Sequence, residues 1–90
     1  MIRATITAHG HVQGIGYRAN ARRKAQQYGI KGYVANQPDG SVEIVAEGDP
    51  AQIDMLVAWC SHGPTAAIVT SLDVERTEPT HEFGDFQIRR

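Results

Sequence analysis

Lys31-Gly32-Tyr33-Val34-Ala35-Asn36-Gln37-Pro38-Asp39-Gly40-Ser41-Val42-Glu43-Ile44-Val45-Ala46-Glu47-Gly48 decides the fold. Two strand-like runs, 31–37 and 41–48, flank Pro38-Asp39-Gly40, and Asp-Gly between such runs marks a β-hairpin. In the second run Val42, Ile44 and Ala46 fall on one side and Glu43 and Glu47 on the other. The two runs are therefore antiparallel neighbours, and one face of their sheet is apolar.

Upstream, residues 2–9 alternate, with Ile2, Ala4, Ile6 and Ala8 opposed to Arg3, Thr5 and Thr7, as in a half-buried strand. After a Gly10–Gly16 loop, Tyr17, Ala21, Ala25 and Tyr28 recur at helical spacing, and Arg22, Arg23, Lys24, Gln26 and Gln27 turn outward. Gly29 is placed to end this helix in the left-handed conformation. Downstream, Asp49-Pro50-Ala51-Gln52 predicts a helix start, with Asp49 as cap, Pro50 in the first turn and Gln52 reaching back. Ile53, Leu56, Val57 and Cys60 form its apolar stripe, and Gly63-Pro64 stops it. Residues 68–76 alternate through Ile68, Leu72 and Val74, and a short last strand runs through Phe86 and Ile88.

The order is βαββαβ plus a short C-terminal strand. It predicts an α+β fold, the ferredoxin-like α/β sandwich, with two helices on one face of a mainly antiparallel sheet. In that topology strands 1 and 2 run the same way with strand 3 between them. Their C-terminal ends share one sheet edge, roughly 10 Å apart at ~4.8 Å per strand. The glycine loop leaves one end and Asn36 closes the other.

Ninety residues suffice for one core, so residues 1–90 are expected to form a single domain. No apolar run reaches the roughly 18 residues of a membrane span, and Met1-Ile2-Arg3-Ala4 opens directly into a strand pattern rather than a secretory signal. Cys60 is alone, which excludes an internal disulfide. A cytoplasmic monomer is the expectation. The net charge of −1 conceals an asymmetry: residues 1–38 hold six Lys or Arg and no acid, while residues 39–90 hold all ten acids and three Arg. A basic first third suits attraction of a small anion, although Arg22, Arg23 and Lys24 also read simply as the solvated face of a helix.

Val12-Gln13-Gly14-Ile15-Gly16-Tyr17-Arg18 gives that anion a place. Backbone N–H groups of a glycine-punctuated loop can turn inward on phosphate, and the following helix adds its positive dipole end. Arg18 in the first turn supplies a planar fork of donors.

Other motifs carry less. Gly14-x-Gly16-x-x-Ala19 with Asp39 resembles a dinucleotide fingerprint, but Asp39 sits in a hairpin turn instead of ending a second parallel strand. Lys31-Gly32-Tyr33-Val34 resembles an RNA-recognition motif displaced to the wrong strand, and Glu43 and Glu47 on the third strand would repel a phosphate backbone; no nucleic-acid partner is expected. His9 and His11 have i, i+2 ligand spacing without a Cys or carboxylate near in sequence, and read as strand-end polar residues. His62 and His81 lack partners in sequence. Cys60, Trp59, Phe83 and Phe86 read as packing residues.

Taken with Gly32-Tyr33-Val34-Ala35-Asn36, Asp39-Gly40, Gly48 and Gly63-Pro64, the loop makes the chain resemble the acylphosphatases nearly end to end. The resemblance implies that Arg18 binds the phosphoryl group and that the backbone of Val12, Gln13, Gly14, Ile15, Gly16 and Tyr17 forms the cradle. It implies that Asn36 orients the attacking water. Tyr17 stands where Phe is commoner, Ile15 where Val is common, and His11 where a basic or polar residue is frequent. The implied reaction splits an acyl phosphate into a carboxylate and inorganic phosphate. The carboxylate is a good leaving group, so the chemistry calls for positioning and electrostatics, with no metal and no cofactor. The alternative is a weakly active or non-catalytic module that holds acyl or carbamoyl phosphate.

Overall fold

The computed structural model describes residues 1–89; Arg90, the last residue of the expected domain, lies outside the described residues. The elements are β1 (Ile2–His11), α1 (Tyr17–Gln27), β2 (Lys31–Asn36), β3 (Val42–Gly48), α2 (Pro50–Cys60), β4 (Ile68–Thr77) and β5 (Phe86–Arg89). They build one five-stranded sheet in the order β4-β1-β3-β2-β5. β3 pairs antiparallel with both β1 and β2, β4 pairs antiparallel with β1, and β5 adds to β2 in parallel. This is the ferredoxin-like α/β sandwich with its extra C-terminal strand.

The core lies between the helices and one sheet face. Ala4, Ile6 and Ala8 of β1 and Val42, Ile44 and Ala46 of β3 are fully buried, alongside Val34 and Phe86. The helices contribute Tyr17, Ala21 and Ala25 from α1 and Ile53, Leu56 and Cys60 from α2. Alanine at two of the three α1 positions lets that helix lie close to the strands. Burial pushes the Cys60 thiol up to about 12, against a smaller opposing effect of Tyr17, so it packs as a small apolar residue and stays protonated.

Local signals in the sequence account for most boundaries. Gly29 (φ 69) ends α1 in a Schellman turn: its amide donates to the Gln26 carbonyl at 3.2 Å and the Ile30 amide to that of Ala25 at 2.9 Å. In the hairpin, the Asp39 carboxylate accepts hydrogen bonds from the Ser41 hydroxyl at 2.6 Å and amide at 2.9 Å. Those bonds hold the Asp39 pKa below its ordinary value.

Three expectations need correction. β1 runs on to His11, because a bulge between His9 and Gly10 carries it past Thr70 on β4. A Cβ at Gly10 (φ 124) would lie 2.1 Å from the Ile68 carbonyl oxygen, so this step requires glycine. The same bulge flips the alternation of β4: Ile68 points outward, 63% exposed, and Val69 packs against the core instead. Asp49 has the extended backbone of a cap and Pro50 opens α2, but the exposed Asp49 side chain makes no capping hydrogen bond.

The face of the sheet away from the helices is not bare. β4 and β5 lie at opposite edges, so residues 78–85 must cross between them, and they cross over this face. Glu47, on the side of β3 opposite Val42, Ile44 and Ala46, is only 2% exposed beneath them. Its carboxylate accepts from the Thr80 amide at 2.8 Å, the Thr80 hydroxyl at 3.0 Å and the His81 amide at 2.9 Å. Arg3 stands 3.5 Å away, and its guanidinium also donates to Thr80 and Glu82. His81 takes a left-handed backbone (φ 59) to turn its amide inward, alone among the described non-glycine residues. Phe83 meets Tyr33 edge-on at 6.0 Å, and Arg89 lies 4.0 Å over the Tyr33 ring.

Desolvation raises the Glu47 pKa, but the two amides, the hydroxyl and Arg3 together outweigh it, and the net value lies below the ordinary one. A carboxyl whose folded pKa is depressed stabilises the fold fully above its unfolded pKa, and the contribution disappears as pH falls through the folded value. Glu47→Gln is expected to cost about 1.5–3 kcal/mol at neutral pH and to flatten the acid limb of stability against pH. Urea unfolding of both proteins from neutral to acid pH checks this; parallel curves would remove Glu47 as the residue that holds the crossing segment.

Candidate active site

The Val12–Arg18 loop is fixed at three points. Val12 is buried where β1 leaves the sheet, and Tyr17 is buried where α1 begins. The Tyr17 hydroxyl donates to the Cys60 carbonyl at 2.7 Å, tying the start of α1 to the end of α2, and its ring leans on Trp59 at 5.2 Å. Burial, and then the neighbouring Cys60, push the phenol well above its ordinary pKa, so it serves as a donor and not as an acid. Between these anchors, Gln13 Nε2 donates to the carbonyls of both Gln37 and Ser41, each at 2.9 Å. That side chain clamps the loop to the β2–β3 turn, next to Asn36.

Gly16 caps α1 in the left-handed conformation (φ 82). It has no side chain to offer the first-turn amides, and no acidic residue stands in that turn. The amides and the positive end of the helix dipole are thus left for a ligand. Asn20 Nδ2 donates to the Gly16 carbonyl at 2.8 Å and braces the turn from above.

Val12, Gly14, Gly16, Tyr17, Arg18, Ala19, Asn36 and Ile88 line a concavity of about 240 Å³. Arg18 is half-buried there, and among the described residues no carboxylate pairs with it. The Asn36 side-chain oxygen is buried without a hydrogen-bond partner, the sole such side-chain atom among the described residues. An acceptor without an internal partner, a cation without a carboxylate and uncapped helix-end amides, gathered at one concavity, are chemically suited to an anion together with a hydrogen-bond donor.

The sequence-derived residues divide accordingly. Val12, Gly14, Gly16, Tyr17, Arg18 and Asn36 come together at the concavity. Gln13 and Ile15 do not line it: Gln13 turns to the hairpin, and Ile15 packs against the core. The clamping role of the Gln13 side chain is new here, as are Ala19 and Ile88. Ala19 follows Arg18 in the first turn, which could have flagged it. Ile88 depends on β5 lying beside β2, and no local pattern announces that. His11 is exposed at the end of β1, outside the concavity. His9 does have a nearby carboxylate: its Nε2 lies 3.0 Å from Asp73 across the β1–β4 pair.

Known proteins resemble this chain in sequence and in fold. The acylphosphatase family model matches residues 4–88. A protein named acylphosphatase from Methylococcus capsulatus is 50% identical over 90 residues, covering 100% of this chain and 98% of its own. The crystal structure of acylphosphatase from Bacillus subtilis superposes with a TM-score of 0.96 at 30% identity, covering 100% of both chains. The structure of an acylphosphatase from Coxiella burnetii gives a TM-score of 0.88 at 34% identity, covering 97% of this chain and 90% of that one. With the match running through the loop, both helices and every strand, the chain belongs to the acylphosphatase family of enzymes.

Proposed function

We propose that this chain hydrolyses acyl phosphates to a carboxylate and inorganic phosphate, without metal or cofactor, with Arg18 and Asn36 as its catalytic residues. The observation that carries the reading is that Asn36, whose buried side-chain oxygen has no hydrogen-bond partner in the protein, lines one concavity with Arg18 and the start of α1. At about 240 Å³ the concavity is smaller than pockets that enclose a drug-sized ligand, which run from roughly 300 to 1,000 Å³. A phosphoryl group fits such a space, with the acyl part directed outward.

Each part then has a task. The loop and first-turn amides and the Arg18 guanidinium hold the equatorial phosphoryl oxygens, where charge is spread in the transition state. Asn36 accepts a hydrogen bond from the attacking water, which aims the water's lone pair at phosphorus. An amide is too weak a base to take that proton, so it passes to a phosphoryl oxygen. Bond formation from water to phosphorus and departure of the carboxylate proceed in line. A stable carboxylate leaves unaided, so no Lewis acid or general acid is required. The same reading has the protein act as a cytoplasmic monomer, with its single Cys buried in the core.

Benzoyl phosphate hydrolysis in EDTA tests the assignment. Arg18→Gln is expected to abolish phosphate binding and turnover together; retained affinity for inorganic phosphate would remove Arg18 from the cradle. Asn36→Ala should lower kcat on the order of 10²-fold with phosphate affinity nearly intact, whereas a large loss of affinity would make Asn36 a ligand grip. Gln13→Ala frees the loop from the hairpin, and is expected to lower both kcat and phosphate affinity while costing about 1 kcal/mol of stability. Unchanged kinetics in that variant would show that the two buried anchors alone shape the loop. A folded wild type that binds phosphate but leaves the substrate intact would make the protein a binding module.

A further inference from the structure

A second groove adjoins the concavity and is not used by the reaction. It holds about 370 Å³ and is lined by Ala19, Arg22, Arg23, Gln26 and Ile88. Ala19 and Ile88 line both spaces, so the two adjoin at a short apolar stretch. Beyond that stretch the groove is cationic. Arg22 and Arg23 are exposed, and among the described residues neither pairs with a carboxylate. Arg23 donates to the Asn20 side-chain oxygen, a neutral partner that orients the guanidinium and leaves its charge uncompensated. No Asp or Glu occurs anywhere in α1.

The spacing is that of a bifunctional ligand. Arg22 follows Arg18 by four residues on one helix, so they share a face and lie about 6 Å apart along the axis. A phosphoryl group at Arg18 and a second anion at Arg22 and Arg23 would be bridged by a few carbons lying on Ala19 and Ile88. A plain acyl chain would leave both guanidinium groups facing solvent. Gln26 extends the polar wall one turn further.

Building on the acyl-phosphate reading above, we propose that this groove is a specificity subsite for acyl phosphates whose acyl part carries a second anionic group, a carboxylate or a phosphate. Arg22 and Arg23 act there on binding and not on the chemical step. Exposed ion pairs are weak, so each arginine contributes roughly a one-and-a-half- to fivefold preference.

Two matched comparisons test this. In the first, kcat/KM is measured for succinyl phosphate and for butyryl phosphate, which lacks the second carboxylate. The wild type should favour the succinyl substrate, and R22Q/R23Q should lose that preference through KM while hydrolysing butyryl phosphate as before. In the second, Kd is measured by calorimetry for phosphonobutyrate and butylphosphonate, which need no turnover. The same preference and the same loss are expected there. A wild type that binds both phosphonates equally, or a double variant that keeps its preference, overturns the subsite. Equal losses for both ligands would also overturn it, by making the arginines a general attraction for phosphate. A wild type that hydrolyses neither substrate but prefers phosphonobutyrate would sink the hydrolase reading and leave the subsite standing.

Discussion

Everything at the site depends on β3 being paired on both sides. Val42, its first residue, is opposite Ala8 of β1 on one side and Asn36 of β2 on the other. Antiparallel pairing to a common central strand forces β1 and β2 to run in the same direction. Their C-terminal ends therefore reach the same edge, separated by roughly two strand spacings, or ~10 Å. β1 continues past that row to His11, so the loop that follows starts beyond Asn36, and Gln13 ties it to the carbonyls of Gln37 and Ser41. Neither Arg18 nor Asn36 is brought to the other by local sequence. The hydrogen-bond ladder does it, and a one-residue slip of β2 against β3 would turn Asn36 to the opposite face.

A ladder fixes backbone positions, but the proposed phosphate cradle also needs a loop that does not collapse when empty. Here the loop is short, ends in two buried side chains and is stitched in the middle by Gln13 to carbonyls of the hairpin that carries Asn36. One side chain thus couples the two halves of the site. On the proposed reading, a loop held in this way keeps ordering cost out of ligand binding. The left-handed Gly16 adds the remaining element, a helix start with no side chain competing for its amides.

What could be read from the sequence follows the range of the interaction that decides it. The hairpin, the Gly29 stop and the apolar stripes of the helices are each set by residues within a few positions and stand where the pattern puts them, whereas the glycine loop starts two residues later than Gly10 because β1 runs on to His11. The placement of Ile68 is set by a bulge against another strand, and a period-two reading of β4 alone cannot see it. Glu47 obeys its strand parity yet is buried, because what covers it arrives more than thirty residues later as Thr80 and His81. Ile88 joins the site only because β5 docks in parallel at the edge beside β2. Of the site, the residues bearing charge, a turn or an amide were legible, and those contributing surface were not.

The two ends of the sheet bear opposite obligations. At the Asn36 end the fold tolerates an unpaired buried oxygen, a cation without a counter-charge and a helix start without a cap. Each lowers stability, and on the proposed reading each would be lost as a ligand contact if the protein satisfied it internally. At the other end Glu47 satisfies itself fully, with three protein donors and Arg3, and locks down the crossing segment. Glu47 lies five residues along β3 from Val42, about 17 Å at 3.4 Å per residue. That separation exceeds the range over which side-chain energies usually couple, so the closing of one sheet face proceeds without constraining the loop at the far edge. The charge asymmetry of the chain takes its physical sense from the same division. Arg18, Arg22 and Arg23, which pair with no carboxylate among the described residues, belong to the first third, which builds the open edge, and the carboxylates follow in the strands, turns and crossing segment that close the rest.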